Sequence, residues 1–218
     1  AETILGRVYG GGEPKLEAVL QVLRDLARHP ATADHIALKL AVHFTQDQPD
    51  PDLVAALSAS YRDSDGDLLQ VYAALLNHGS SWMPELRNVK PPFDFLASAC
   101  RGLGVAPAHL AGWEPKQIRR SFIAPLKLMG QDWQSPVGPD GWEEADTAWI
   151  TPQGLSARLR WAMAAPQRLV KDLPDPLGFA QHCLGARANA RVQFAASAAE
   201  TRSEAIGLVL CSPAFQRR

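Results

Sequence analysis

Cysteine is scarce in this chain, and its spacing excludes a disulfide framework. The three cysteines, Cys100, Cys183 and Cys211, are odd in number, lie far apart and form no CxxC pair. A framework of disulfides needs an even set at short spacings, and CxxC chemistry needs the pair itself. Each cysteine follows apolar residues in a helical pattern, so we expect three buried free thiols.

The chain also lacks an excess of charge of either sign. Its 22 basic and 23 acidic residues give a formal net charge of −1. A nearly neutral protein has no global field that attracts polyanions, so we expect no nucleic-acid partner. No run of about 18 apolar residues is present, so we expect no membrane span. No N-terminal segment resembles a signal peptide, and the compartment, cytoplasmic or periplasmic, stays open.

Common catalytic signatures are missing as well. The sequence contains no HExxH, no GxSxG and no P-loop. Gly10–Gly12 precede a helical pattern, but Lys15 stands where a GxGxxG fingerprint needs its third glycine. We therefore expect a flexible entry loop there, and no cofactor.

Helical periodicity dominates what is present. Apolar residues at spacings of three and four mark the first helix: Leu16, Val19, Leu20, Leu23 and Leu26. Similar patterns recur to the end of the chain, and no stretch gives a convincing strand. We predict an all-α protein, a multi-helix bundle of about ten helices in one domain over residues 1–218.

Two helical subregions, residues 1–125 and 152–218, are joined by an irregular strap over residues 126–151. The wider stretch from Leu126 to Trp161 holds four of the six tryptophans and three prolines. Thr151-Pro152 predicts the start of the next helix. In that helix we expect Leu155, Leu159 and Met163 to share a core-facing side, with Arg158 and Arg160 pointing outward.

The strap's tryptophans and acids allow two interpretations each. Trp133, Trp142 and Trp149 either anchor the strap under the helices or offer a platform to a sugar or peptide. Carboxylates beside such platforms are typical of glycoside-processing sites, where one acid protonates the leaving group and another activates water. They are also typical of a solvated turn. The catalytic candidates are Asp140, Glu143, Glu144 and Asp146.

Two further clusters are candidates for ion binding. Arg119, Arg120 and Lys127 fall among few acids, which favours either an anion-binding face or a solvated basic face. Asp63, Asp65 and Asp67 flank Gly66 like the front of a calcium loop. However, Tyr61 and Tyr72 would occupy the first and twelfth positions of that loop, which need oxygen ligands. We expect a tight turn, with Asp67 capping the next helix, and no bound metal.

Several blocks of the sequence, in order, resemble a large bacterial family known as domain of unknown function 1800. They are HPATADHIALKLAVHF (29–44), YRDSDGDLLQVYAALL (61–76), VKPPFDFLASACRGLG (89–104), LMGQDWQSPVGPDGW (128–142), ITPQGLSARLRWAM (150–163) and LVLCSPAFQRR (208–218).

The resemblance is to the C-terminal half of that family, whose members carry an alanine-rich helical segment before this one. It implies a fragment or processed product of a longer protein and no established activity. Our leading hypothesis is a non-catalytic binding or scaffolding region that acts with its N-terminal half or with another protein chain. The alternative is a hydrolase of a polymer or glycan that uses the strap's acids.

Overall fold

The computed structural model describes residues 1–13 and 15–218. Helices make up most of it, so the all-α prediction is confirmed. The chain separates into two compact units, Ala1–Glu85 (unit 1) and Leu86–Arg218 (unit 2). In the part of the chain described, no helix has the length and apolar character needed to cross a membrane. The division into subregions 1–125, 126–151 and 152–218 stays a prediction.

Unit 1 opens with a small antiparallel hairpin of strands β1 (Glu2–Ile4) and β2 (Arg7–Tyr9). Leu5 and Gly6 form its two-residue turn with φ of 47° and 79°, and a turn with positive φ at both positions matches the twist of paired strands. The sequence pattern does not predict this hairpin because three-residue strands are too short to show alternation.

Four helices follow the hairpin, and local capping sets where three of them begin. His29, Asp50 and Asp67 each accept a hydrogen bond from the backbone N–H two residues later. The helix bounds in unit 1 are α1 (Leu16–Ala27), α2 (Pro30–Phe44), α3 (Pro51–Asp63) and α4 (Leu68–Asn77), with a 3₁₀ turn at Gly79–Trp82.

The core of unit 1 is small. Ala33, Ala37 and Ala41 form the buried face of α2, which packs on α3. The leucines and Tyr61 of α3 fill the space opposite, and the Tyr61 hydroxyl donates a 2.9 Å hydrogen bond to the carbonyl of Ala27. Helix α1 buries none of its residues fully.

Unit 2 is built from shorter helices, most of which begin at a proline. Proline suits the first turn because its missing N–H has no partner there in any case. The bounds are α5 (Pro92–Gly102), α6 (Pro107–Leu110), α7 (Pro115–Ile118), α8 (Ala124–Leu128), α9 (Asp146–Trp149), α10 (Pro152–Ala164), α11 (Pro166–Leu169), α12 (Pro176–Leu184), α13 (Ala190–Ala198), α14 (Arg202–Cys211) and α15 (Pro213–Gln216). A π-helical turn spans Arg119–Ile123, and a 3₁₀ turn spans Gly185–Arg187.

Aromatic side chains form the centre of unit 2. The ring of Phe95 lies edge-on to those of Trp161 and Phe215, with centroids 5.5 and 6.0 Å away. Helices α10 and α14 pack closely because α14 carries Gly207, where a Cβ would lie 3.1 Å from the Cα of Met163. This core is larger and more aromatic than that of unit 1.

The predicted orientation of α10 is wrong except at Arg160, which is exposed as expected. Leu155, Leu159 and Met163 are exposed by 37 to 41%, whereas Arg158 is completely buried. The Arg158 guanidinium donates to the Gln216 side-chain oxygen at 3.1 Å and to the Lys90 carbonyl at 2.8 Å. These acceptors lie 58 and 68 residues away, so no local pattern could place that side chain inside.

Candidate functional site

The strap follows an irregular path in unit 2. Its first residues complete α8, and α9 lies near its end, just before α10 begins at Pro152. Between α8 and α9 the chain runs without a helix from Met129 to Ala145, and Gly138 and Gly141 form an isolated bridge across one of its turns. Such a path has no hydrogen-bond ladder of its own, so side chains must hold it in place.

The three tryptophans proposed for binding lie in different environments. Trp149 is 4% exposed and Trp142 is half-buried, whereas Trp133 is 45% exposed. Trp149 therefore serves as an anchor of the strap. Of the three, Trp133 presents the most ring surface to a ligand.

The four acids proposed for catalysis also differ in setting. Asp140 and Glu143 are exposed, while Glu144 and Asp146 are half-buried. Asp146 accepts a 2.7 Å hydrogen bond from the Val89 backbone N–H and lies 3.9 Å from the guanidinium of Arg217. These contacts fasten α9 to the segment before α5 and to the chain end, which is a structural task.

The proposed basic face spans the π-helical turn and α8. Arg119 and Arg120 are exposed, and Lys127 forms a 2.7 Å salt bridge with Asp132 of the strap. Burial and the positive charge of Arg120 lower the pKa of Arg168, so α11 adds a further guanidinium near this face.

The aspartates proposed for metal binding flank the turn between α3 and α4. Asp65 adopts a φ of 56° and forms a 2.6 Å salt bridge with Arg28, and Asp67 caps α4 as expected. Asp63 is exposed at the end of α3. Within residues 1–13 and 15–218, no group of three or more histidine, cysteine or acidic side chains is arranged to hold a metal ion.

Pro125 explains the π-helical turn beside α8. Proline has no N–H, so the carbonyl of Ser121 loses its usual partner four residues later. The buried Trp161 indole donates to that carbonyl instead, at 2.7 Å. The N–H of Ala124 reaches back five residues to the carbonyl of Arg119, which widens the turn.

The widened turn lines an apolar concavity of about 200 Å³, which we call the Trp133 groove. Two buried leucines, Leu96 and Leu126, line it from the core side. The other lining residues come from α5, the π-helical turn and the strap: Phe93, Ala97, Cys100, Phe122, Ile123 and Trp133.

A second apolar surface lies on unit 1, where α4 is apolar on two sides. Val71 and Leu75 face the core. The opposite side is open: Leu69 is 73% exposed and Leu76 is 58% exposed, with Tyr72 between them. Spacings of three and four residues place these three side chains on one helical face. With Trp82 and Met83, which are also exposed, they form what we call the α4 face.

The turn after α4 fixes Trp82 beside this helix. His78 caps the 3₁₀ turn, and the Trp82 indole N–H donates to the Leu76 carbonyl at 2.6 Å. The Ser80 hydroxyl donates to the Asp50 carboxylate, and this bond is the main reason why the pKa of Asp50 lies below its usual range. The exposed Trp82 indole is therefore held by its own bond to α4, and the turn that carries it is held by the bond between Ser80 and Asp50.

Neither the α4 face nor the groove is predicted from the sequence, although Trp133 of the groove is one of the predicted binding residues. A signal for the α4 face is present: residues 68–84 contain no Asp, Glu, Lys or Arg. A helix that is uncharged and apolar on two sides has more apolar surface than one small core can bury. The groove has a weaker signal, Pro125 within a helical pattern, which predicts a local distortion but not what lines it.

Comparison with known protein families gives a match over nearly the whole chain. The family model described as protein of unknown function, DUF1800, matches residues 1–217. No curated protein and no solved structure matches the chain.

Proposed function

The chain belongs to the DUF1800 family of proteins of unknown function, and we propose that it is a binding or scaffolding region that takes up another polypeptide on the α4 face. The observation that carries this proposal is the open, uncharged and aromatic surface of α4 and its following turn.

The composition of this surface supports a protein partner. Interface centres are enriched in Tyr, Trp and Met and depleted of charge, and the α4 face contains all three residue types within a charge-free segment. Large contiguous apolar patches are rare on proteins that act alone. Trp82 and Tyr72 are the residue types that most often dominate binding energy.

The spacing of the surface indicates the chemistry of the partner. Leu69, Tyr72 and Leu76 present a ridge at intervals of three and four residues, and such ridges pack into the grooves of another helix. We propose an amphipathic helix whose contacting side chains are apolar and uncharged. The family resemblance offers two sources for it, the N-terminal half of the same protein or a separate chain.

Photo-crosslinking tests the proposal. A benzoylphenylalanine at position 76 should crosslink to one defined peptide with apolar residues at spacings of three and four. A benzoylphenylalanine at Ala55, which is exposed on α3, should not. The mass of the crosslinked peptide shows whether the partner is the N-terminal half of the same protein or a separate chain. Crosslinks scattered over many unrelated peptides, or the same yield from both positions, would count against the proposal.

A matched pair of substitutions separates binding from folding. Leu76→Glu places a charge on the α4 face and should abolish co-purification of the crosslinked partner. Gln70→Glu adds the same charge to an exposed residue of the same helix, about 100° from Leu69 around its axis, and should leave co-purification intact. Equal loss in both variants would contradict a binding role for this face.

A further inference from the structure

A polar cavity of about 470 Å³ lies within unit 1, between the β1–β2 hairpin, the end of α1 and the start of α2. We call it the hairpin cavity. Sites for small molecules commonly measure about 300–1,000 Å³, so the cavity has the size for a small ligand. Five of its lining residues are polar: Arg7, Tyr9, Asp25, Arg28 and His29.

The carboxylate of Asp25 fastens the hairpin to α1. It accepts hydrogen bonds from the Tyr9 hydroxyl at 2.8 Å and from the Gln21 amide at 3.1 Å, and it forms a 2.9 Å salt bridge with Arg7. The bond from Tyr9 and then that from Arg7 hold the pKa of Asp25 below its usual range. Three donors occupy a group that has about four acceptor positions, so Asp25 has little capacity left for a ligand.

The two arginines of the cavity keep most of their donors unused. Arg7 forms its salt bridge with Asp25 through one terminal nitrogen, and Arg28 forms its own with Asp65, at 2.6 Å, through another. A guanidinium carries N–H groups on every one of its nitrogens, so further donors remain on both side chains. Both side chains are more than half exposed, so a ligand can reach them.

His29 adds a donor of a different kind. Its Nδ1 accepts a 3.1 Å hydrogen bond from the Ala31 backbone N–H, so the neutral imidazole carries its proton on Nε2. Within residues 1–13 and 15–218, this Nε2–H has no hydrogen-bond partner. The same contact that caps α2 therefore sets which ring nitrogen is the donor.

The unused side-chain groups of the cavity favour an anion with several acceptor oxygens. Among the lining residues that the structure describes, two arginines stand against one aspartate, which gives a local charge of +1. A phosphate monoester carries a charge of about −1.5 to −2 at neutral pH and three acceptor oxygens. Arginine binds such oxygens in pairs. A carboxylate has two oxygens in one plane, so it can engage fewer of these donors at once.

We propose that the hairpin cavity is a binding site for a small phosphate monoester, with Arg7, Arg28 and His29 as donors to the phosphate. The other lining residues are apolar and offer contacts to the organic group of the ester: Ile4, Leu5, Leu26 and Pro30. None of the lining residues belongs to the α4 face. The site therefore goes beyond the function proposed for that face and does not depend on it.

Titration of the ¹⁵N-labelled full chain with phenyl phosphate, followed by the chemical shifts of backbone amides, tests the proposal. We expect saturable shifts at Arg7, Tyr9 and His29. The dissociation constant should be on the order of 1 mM, because exposed ion pairs each contribute little. Shifts that do not saturate, or that spread over both units, would overturn the proposal.

A matched pair of variants separates the cavity from the general charge of the surface. Arg28→Gln removes a donor from the cavity and should weaken binding by about tenfold, the usual effect of a hydrogen bond to a charged group. Arg24→Gln lies one turn earlier, removes an exposed arginine that forms a 2.6 Å salt bridge with Glu17, and does not line the cavity. It should leave the dissociation constant within about twofold, as a distant, screened charge does. Equal loss in both variants would overturn the proposal.

Related ligands test the assignment to phosphate without any variant. Benzoate has the same ring with a planar, singly charged group, and it should bind at least about fivefold more weakly than phenyl phosphate. Inorganic phosphate should shift the Arg7 and His29 amides at higher concentration, because it lacks the ring. Benzoate that binds as tightly as phenyl phosphate, or inorganic phosphate without effect at these amides, would contradict a phosphate site.

Discussion

The core of unit 1 is small and nearly free of aromatic residues, whereas the core of unit 2 is larger and has aromatic side chains at its centre. In unit 1, three alanines of α2 allow α3 to approach closely, and the buried set there contains a single aromatic residue, Tyr61. In unit 2, Phe95, Trp161 and Phe215 meet at the centre. So small a core covers little surface, and α1 and α4 keep apolar sides exposed. The thinner core thus leaves more surface for a partner.

Removing an aromatic ring from the core of unit 2 should have the largest effect. Phe95→Ala should lower the free energy of unfolding by about 3–5 kcal/mol, since it removes buried surface and leaves a cavity. Urea denaturation followed by tryptophan fluorescence measures it, because five of the six tryptophans lie in unit 2. Phe93→Ala, at an exposed ring of the same helix, should cost much less. Equal losses would show that the aromatic centre is not what holds unit 2.

Replacing the buried Arg158 should have the next largest effect. Arg158→Ala leaves the Lys90 carbonyl and the Gln216 oxygen without their donor, at about 1–3 kcal/mol for each acceptor. Arg160→Ala removes an exposed guanidinium two residues away and should leave the urea midpoint where it is. If the two variants unfold at the same urea concentration, the burial of Arg158 does not stabilise the chain end.

A larger side chain on the buried alanine face of α2 should destabilise unit 1. Ala37→Leu inserts methyl groups between α2 and α3 and should cost about 1–3 kcal/mol through overpacking. Hydrogen exchange in peptides from α3, followed by mass spectrometry, reports the loss of protection. Ala31→Leu, at an exposed residue of α2, is the control. Unchanged protection in Ala37→Leu would mean that close packing does not define this core.

The free energy of unfolding of unit 2 should depend on pH, and this effect should be smaller than those above. Burial lowers the pKa of Lys90 to about 8, and the charges of Cys183, Arg187 and Asp94 act on it more weakly. Between this value and the ordinary lysine pKa of about 10.4, the unfolded chain binds more protons than the folded one, so stability rises with pH.

Cys100 and Cys211 make the free energy of unfolding fall as the pH rises, because burial raises the pKa of each to about 11 and the unfolded chain loses these protons first. Their effect cancels when wild type is compared with Lys90→Met. The difference between their free energies of unfolding should therefore shift in favour of wild type from pH 7.5 to 10. No shift would mean that Lys90 titrates normally in the folded protein.

Local features of the sequence predict much of the fold. Asp50-Pro51 and Thr151-Pro152 mark helix starts because capping depends on residues one to three positions apart. The environment of a side chain depends on distant partners instead. Asp146 looks like a member of an acidic turn, yet its partner Val89 lies 57 residues away.

The candidate sites are less predictable for the same reason. Trp133 and Trp149 are indistinguishable as residues of an indole-rich strap, and only the packing of unit 2 exposes one and buries the other. The open side of α4 is equally hard to predict. Its apolar residues would belong to the core if another element of unit 1 covered them.

The stability of a double variant, Leu69→Gln/Leu76→Gln, tests most directly whether the α4 face is a binding surface rather than part of the core. Hydrogen exchange in α3 peptides of the full chain measures the opening free energy of unit 1. We predict a change within about 0.5 kcal/mol, since exposed substitutions rarely matter more. Leu75→Gln, at the buried side of the same helix, should lose far more. A loss above about 2 kcal/mol in the double variant would show that the face is already packed, and would contradict the proposed function.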